Sequence, residues 1–129
     1  MTDAYLAEWI DKAEEDYQAA IVLVRSRKRP TPNVVCFHCQ QSAEKYLKAY
    51  LVREEVKFPR THDLLELHKL CSSVNPGFEL IVDLLDRLNP YSIEYRYPGE
   101  EVDVDEAREA VKTIKRVRRF LREVLGLPL

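Results

Sequence analysis

Gln41, Glu44, Lys45 and Lys48 recur at intervals of three and four residues within CFHCQQSAEKYLKAYLVREEVKFPRTHD (36–63), a stretch that closes on Arg60 and His62. That spacing puts an amide, a carboxylate and two amino groups on one side of a helix. It leaves a guanidinium and an imidazole where the next helix begins. Thr61 reads as the N-cap of that helix, and the free N–H groups behind it favour an anion. A second segment, YSIEYRYPG (91–99), sets Arg96 between two tyrosines, an arrangement suited to base stacking or phosphate contact. Each feature also has an ordinary reading. The stripe suits a solvated helix face, the His a capped turn, and Arg96 a loop held through Glu94 or a carbonyl.

Two further constellations carry chemistry. Arg108, Lys112, Lys115, Arg116, Arg119 and Arg122 share one helical face in a segment (108–122) with seven bases and one acid. Such a strip can track a phosphate backbone, or pair with the acidic N-terminal helix. Cys36 and Cys39, with His68 and Cys71, have the spacing of a zinc tetrahedron. All four, however, fall on or near apolar arcs, where cysteine acts as a small hydrophobe. No Gly-x-Ser-x-Gly, His-Glu-x-x-His or P-loop pattern is present, so nucleophilic catalysis has no support and no cofactor is expected.

Elements must be found that position these groups. A chain of 129 residues suits one domain and can bury a core without disulfides or metals. Three cysteines fit a reducing compartment. No apolar run approaches the roughly 20 residues needed to cross a bilayer, and no basic-then-apolar leader opens the chain, so a cytoplasmic location without membrane contact is expected. The net charge of −2 conceals segregation: acids crowd 1–16 and 100–106, and bases crowd 25–29 and 108–122.

Prolines mark the breaks between helical periodicities. Helix 1 is expected from Asp3 to Val24, and helix 2 from Asn33, as N-cap, to Glu54. Helix 3 is expected from Thr61 to Ser73, helix 4 from Phe78 to Leu88 with Leu80 on its apolar side, and helix 5 from Asp103 to Leu125 with Gly126 ending it. Tyr91 to Gly99 reads as one helical turn, then a loop. The fold class is all-α, an up-and-down bundle of four to five helices with largely antiparallel neighbours.

In order along the chain, AEEDYQAA (13–20), FHCQQSAEKYLK (37–48), FPRTHDL (58–64) and YRYP (95–98) resemble the HEPN family, the higher eukaryotes and prokaryotes nucleotide-binding domain. The resemblance spans most of the chain. It implies a helical bundle that forms a homodimer, binds nucleotide or RNA, and is encoded beside a minimal nucleotidyltransferase, often as a toxin–antitoxin module. Catalytic members are metal-independent ribonucleases whose site is an Arg followed, after four to six residues, by a His. Here Arg96 is followed by Tyr97, Pro98, Gly99, Glu100, Glu101, Val102 and Asp103, with no His. The chemistry needs a group that titrates near neutrality to move the 2′-OH proton.

Three readings stand side by side. The first is a HEPN protein lacking the usual ribonuclease motif, with contacts from Gln41, Lys45, Lys48, Arg60, His62, Arg96 and Tyr97. The second is a ribonuclease toxin using Arg96 with His62. The third is a purely structural interaction module.

Overall fold

Pro32 sits in the first turn of the central helix, α2 (Pro32–Arg53), where its fixed φ suits helix entry and its missing N–H is not needed. Thr31 occupies the N-cap without a side-chain bond. Asn33 is therefore not the cap. Its Oδ1 instead accepts from Val102 N (3.1 Å), tying the start of α2 to the loop before the last helix. The computed structural model describes residues 3–93 and 97–129. Around α2 lie α1 (Asp3–Val24), α3 (Leu64–Val74), α4 (Val82–Leu88) and α5 (Val104–Val124), with 3₁₀ turns at Pro76–Ile81 and Asn89–Tyr91. No strand occurs among the described residues, and no described helix is long and apolar enough to cross a membrane.

The core forms where the helical arcs meet. Tyr46, Leu47, Leu51, Leu64, Leu67, Phe78, Leu85, Leu88, Ile114 and Leu121 are fully buried. Each such side chain contributes about 1.5–3 kcal/mol of transfer free energy. α1 runs antiparallel to α2: Trp9 meets Lys48, Ala13 accepts from Ser42 Oγ, and Asp16 meets His38. It is antiparallel to α5 as well, with Glu14 facing Arg118. α3 and α5 instead run with α2, because the chain doubles back before each of them.

The first of these reversals builds the site. α2 ends in a Schellman turn: Glu55 N donates to the Val52 carbonyl and Val56 N to the Leu51 carbonyl. Residues 56–63 then return along α2, until Gln40 Nε2 reaches the His62 carbonyl (2.9 Å). Glu55 holds the left-handed position with φ of 58°, where a Cβ is strained. Gly126 fills the same role, unstrained, after α5. Glu55→Gly is expected to raise stability by about 0.5–1 kcal/mol, read as a higher urea midpoint with unchanged slope.

Two further boundaries differ from expectation. Asp63, not Thr61, caps α3: its side chain accepts from Leu65 N (2.9 Å) while Thr61 Oγ1 accepts from Asp63 N. The next helix opens as a 3₁₀ turn after Asn75, whose side chain accepts from Gly77 N. With about three residues per turn instead of 3.6, that winding carries Leu80 off the apolar face, and it is 79% exposed.

Candidate functional site

The return of residues 56–63 covers one ridge of α2. Gln40, Glu44 and Lys48 stand four residues apart on that ridge, and all three are buried. The expected solvated stripe is thus largely interior. A buried charge requires a partner and satisfied hydrogen bonds, and the ridge supplies both. Glu44 Oε2 pairs with Lys48 Nζ (3.0 Å), and Glu44 Oε1 pairs with His62 Nδ1 (3.0 Å). Gln41 Nε2 donates to Gln40 Oε1 (2.7 Å), leaving the Gln40 amide to hold the His62 carbonyl. The ammonium of Lys48 also lies over the rings of Trp9 (5.7 Å) and Phe58 (5.9 Å).

His62 itself is exposed. Its side chain retains 73% of its accessible surface, against 4% for Glu44. A buried carboxylate accepting from Nδ1–H fixes the ring and turns Nε2 outward. Behind it, Asn89 Oδ1 accepts from Leu64 N (2.8 Å) and its amide donates to Asp63 (3.1 Å), holding the turn.

Between the N-terminal half of α1 and the returning segment lies an open groove of about 550 Å³. Tyr5, Trp9 and Phe58 give it aromatic walls, Lys57 and Arg60 give it positive charge, and Lys48, its ammonium paired with Glu44, completes the lining. The rings meet edge to face, Tyr5 with Trp9 at 6.2 Å and Trp9 with Phe58 at 6.1 Å. Trp9 Nε1 is buried without a hydrogen-bond partner, an unsatisfied donor in the wall of the groove. A smaller adjoining cavity of about 270 Å³ shares Tyr5 and Trp9 and adds Lys12 and Lys45. Glu8 is also in that lining. Cations beside exposed ring faces suit a planar base carrying phosphate.

A second buried carboxylate tethers Lys45. Asp16 binds Lys45 Nζ (2.5 Å) through one oxygen and His38 Nδ1 (2.8 Å) through the other. Lys45 is therefore only partly available to a ligand. A third cluster is structural. Arg118 forks onto Glu14 with Nε (2.9 Å) and Nη2 (2.8 Å), Tyr46 donates to Glu14, and Arg118 lies 4.5 Å from the Tyr17 ring centre. Burial acts to raise the Glu14 pKa, but the hydrogen bonds from Arg118 and Tyr46 and the charge of Arg118 outweigh it and hold the carboxyl below its usual range. Burial, then the bond to Glu14, pushes the Tyr46 hydroxyl up to about 12. The bond to Glu14 raises Arg118 in turn.

A depressed carboxyl stabilises the fold above its unfolded pKa, about 4.3, and loses that contribution as pH falls through the folded value. Glu14→Gln is accordingly expected to cost about 1–3 kcal/mol at neutral pH. The gap from wild type closes as pH drops below about 4. Urea unfolding at several pH values reads both effects.

Gln41, Lys45, Lys48, Arg60 and His62 converge on this corner of the molecule. Arg96 lies outside the described residues. Tyr97 is 64% exposed in the loop before α5 and is not among the described lining of the groove. On α5, Arg108, Lys112, Lys115, Arg116 and Arg119 face solvent. Arg122 departs from that strip: only 14% exposed, it turns inward to Glu14 (3.7 Å) and Tyr46 Oη (3.0 Å).

The zinc tetrahedron does not form. Cys36 and Cys39 pack in the core, Cys71 Sγ faces the Leu47 carbonyl (3.8 Å), and His68 Nε2 bonds the Phe78 carbonyl (2.9 Å). Among the described residues no cluster of three His, Cys, Asp or Glu side chains can hold a metal ion. Burial raises the Cys39 thiol and pushes Cys71 up to about 12, far from the thiolate a nucleophile needs.

Gln40, Lys57, Asp16 and His38 were not among the site residues read from sequence. Two of them had a signal. Gln40 continues the Glu44–Lys48 spacing one step back. Asp16 sits three residues after Ala13 and four before Ala20, a charge on a buried arc.

A HEPN domain model matches residues 6–124. Two solved structures share the fold. TT1696 from Thermus thermophilus is 22% identical, with 92% of this chain and 96% of that chain covered and a TM-score of 0.67. ST0689, described as an archaeal HEPN homologue, is 22% identical, with 92% and 95% covered and a TM-score of 0.66. A search of curated proteins finds no match.

Proposed function

The chain belongs to the HEPN domain family, and from that premise we propose that it binds a nucleotide or single-stranded RNA in the groove between α1 and residues 56–60. It does so as a homodimer that works with a minimal nucleotidyltransferase in a toxin–antitoxin-like module. The dimer and the partner follow from the family resemblance. The groove carries the binding reading. Aromatic rings of Tyr5, Trp9 and Phe58 line one cavity with Lys48, Lys57 and Arg60, and His62 is held two residues from Arg60 by a buried carboxylate. Bases stack on the rings, and phosphate oxygens take hydrogen bonds from Lys57, Arg60 and His62.

Trp9 is the single tryptophan, so its fluorescence reports on the groove and the cavity adjoining it. Titration with ATP or a short single-stranded RNA should change Trp9 emission saturably. Flat emission across the millimolar range, with both probes, would contradict the reading.

One observation favours a second reading, a metal-independent ribonuclease using His62 with Arg96. His62 is oriented by a buried acid, Glu44, with Nε2 outward, as a general base requires. Nε2 would accept the 2′-OH proton as that oxygen attacks the adjacent phosphorus, and the 5′ oxygen would leave with a proton from water, giving a cyclic phosphate. RNA cleavage by wild type and not by His62→Ala selects this reading; RNA left intact by wild type rejects it.

A further inference from the structure

The basic linker after α1 and the basic face of α5 are remote in sequence, but the fold joins them. Arg25, Arg27 and Arg108 line one open cleft of about 600 Å³, at the far end of α1 from the groove. No acid is among its described lining residues. The linker is ordered by bonds from Arg25 N to the Val22 carbonyl and from Ser26 Oγ to the Arg29 carbonyl. Arg108 pairs with Asp105 at 3.3 Å, but both side chains are more than half exposed. Such a pair is worth little and yields to a stronger anion. A neighbouring depression shares Arg108 and continues to Lys112 and Lys115, with the acids Asp105 and Glu109 also in its lining. Lys112 pairs with Glu109 (3.3 Å), and both side chains are largely exposed, so this pair too yields to a stronger anion. From Arg108 to Lys115 is seven residues, about 10 Å along the helix.

We infer that this cleft is a second anion site that takes the phosphodiester backbone of single-stranded RNA, separate from the aromatic groove. The proposal rests on the reading that this chain binds RNA. Guanidinium forks match phosphate oxygens bidentately. The charge runs as a line onto α5, which fits a backbone better than one isolated anion. The cleft lacks the aromatic anchors that concentrate binding energy at protein interfaces: its apolar lining is Val24, Pro30 and Val104. Backbone contacts without stacking add affinity and salt dependence, but no base preference.

The test compares wild type with the triple variant R25E/R27E/R108E, with the alanine triple as a milder control. Thermal melts verify the fold. Single-stranded RNA affinity should fall at least tenfold at about 0.1 M salt, and the slope of log K against log salt should fall by about 2. Trp9-detected ATP binding should not change. RNA affinity and slope both unchanged, with ATP still read at Trp9, overturns the cleft and leaves the groove standing. A wild type that binds neither ATP nor RNA overturns both. Unchanged RNA affinity with loss of an acidic protein partner overturns the RNA assignment in favour of that partner.

Discussion

Glu44→Ala is expected to lower the stability of this fold by about 3–5 kcal/mol, a large share of the margin on which a domain of this size rests. The Glu44 side chain is 4% exposed and that of Lys48 9%. Removing the carboxylate leaves a mostly buried ammonium, over the rings of Trp9 and Phe58, without its partner. It also strips Gln40 and His62 of a shared acceptor. The penalty comes from the unpaired charge, not from the worth of the pair. Glu44→Gln with Lys48→Met, which removes both charges at similar volume, should therefore recover most of the loss. Urea unfolding at neutral pH measures it. A loss under about 1 kcal/mol for Glu44→Ala would mean that the ridge is not the buried network described.

The second large effect is on binding. Lys57→Ala with Arg60→Ala is expected to weaken ATP or RNA binding about 100-fold, from roughly 1.4 kcal/mol per charge-assisted phosphate contact. Both side chains are exposed at the rim, so stability should stay within about 0.5 kcal/mol of wild type. That separation distinguishes a binding role from a structural one. Glu44→Ala, by contrast, should damage both, because it holds His62 as well as the fold.

Sequence periodicity carried most of the fold. Val35, Cys39, Ala43, Tyr46, Leu47 and Tyr50 share one face at helical spacing, and all are buried on α2. The bounds of α1 matched expectation. What stayed hidden was where the connections go. Nothing in LVREEVKFPRTHD says that Glu55 adopts a left-handed conformation and sends the chain back along α2. Without that reversal, Glu44 and Lys48 read as solvated. With it, they become the buried support of His62. Asn33 was misread for a related reason: it has the chemistry of a cap, but Val102, 69 residues away, claims its oxygen. Arg122 belonged to the basic face by its position on the wheel, yet Glu14 and Tyr46 draw it inward. Each of these depends on which elements become neighbours, and helical spacing within one element does not encode that. The HEPN resemblance was legible because three of its four ordered motifs hold the network residues Glu14, Asp16, His38, Gln40, Glu44, Lys45, Lys48 and His62.

The central claim is that the aromatic and cationic groove beside the Glu44–His62 pair receives a nucleotide. Its most direct test is a titration of isotope-labelled protein with ATP, followed by amide and indole resonances. Saturable shifts confined to Tyr5, the Trp9 indole and residues 57–62, with α4 unaffected, are the predicted result. Saturable shifts elsewhere that leave Trp9 and residues 57–62 unmoved would contradict it.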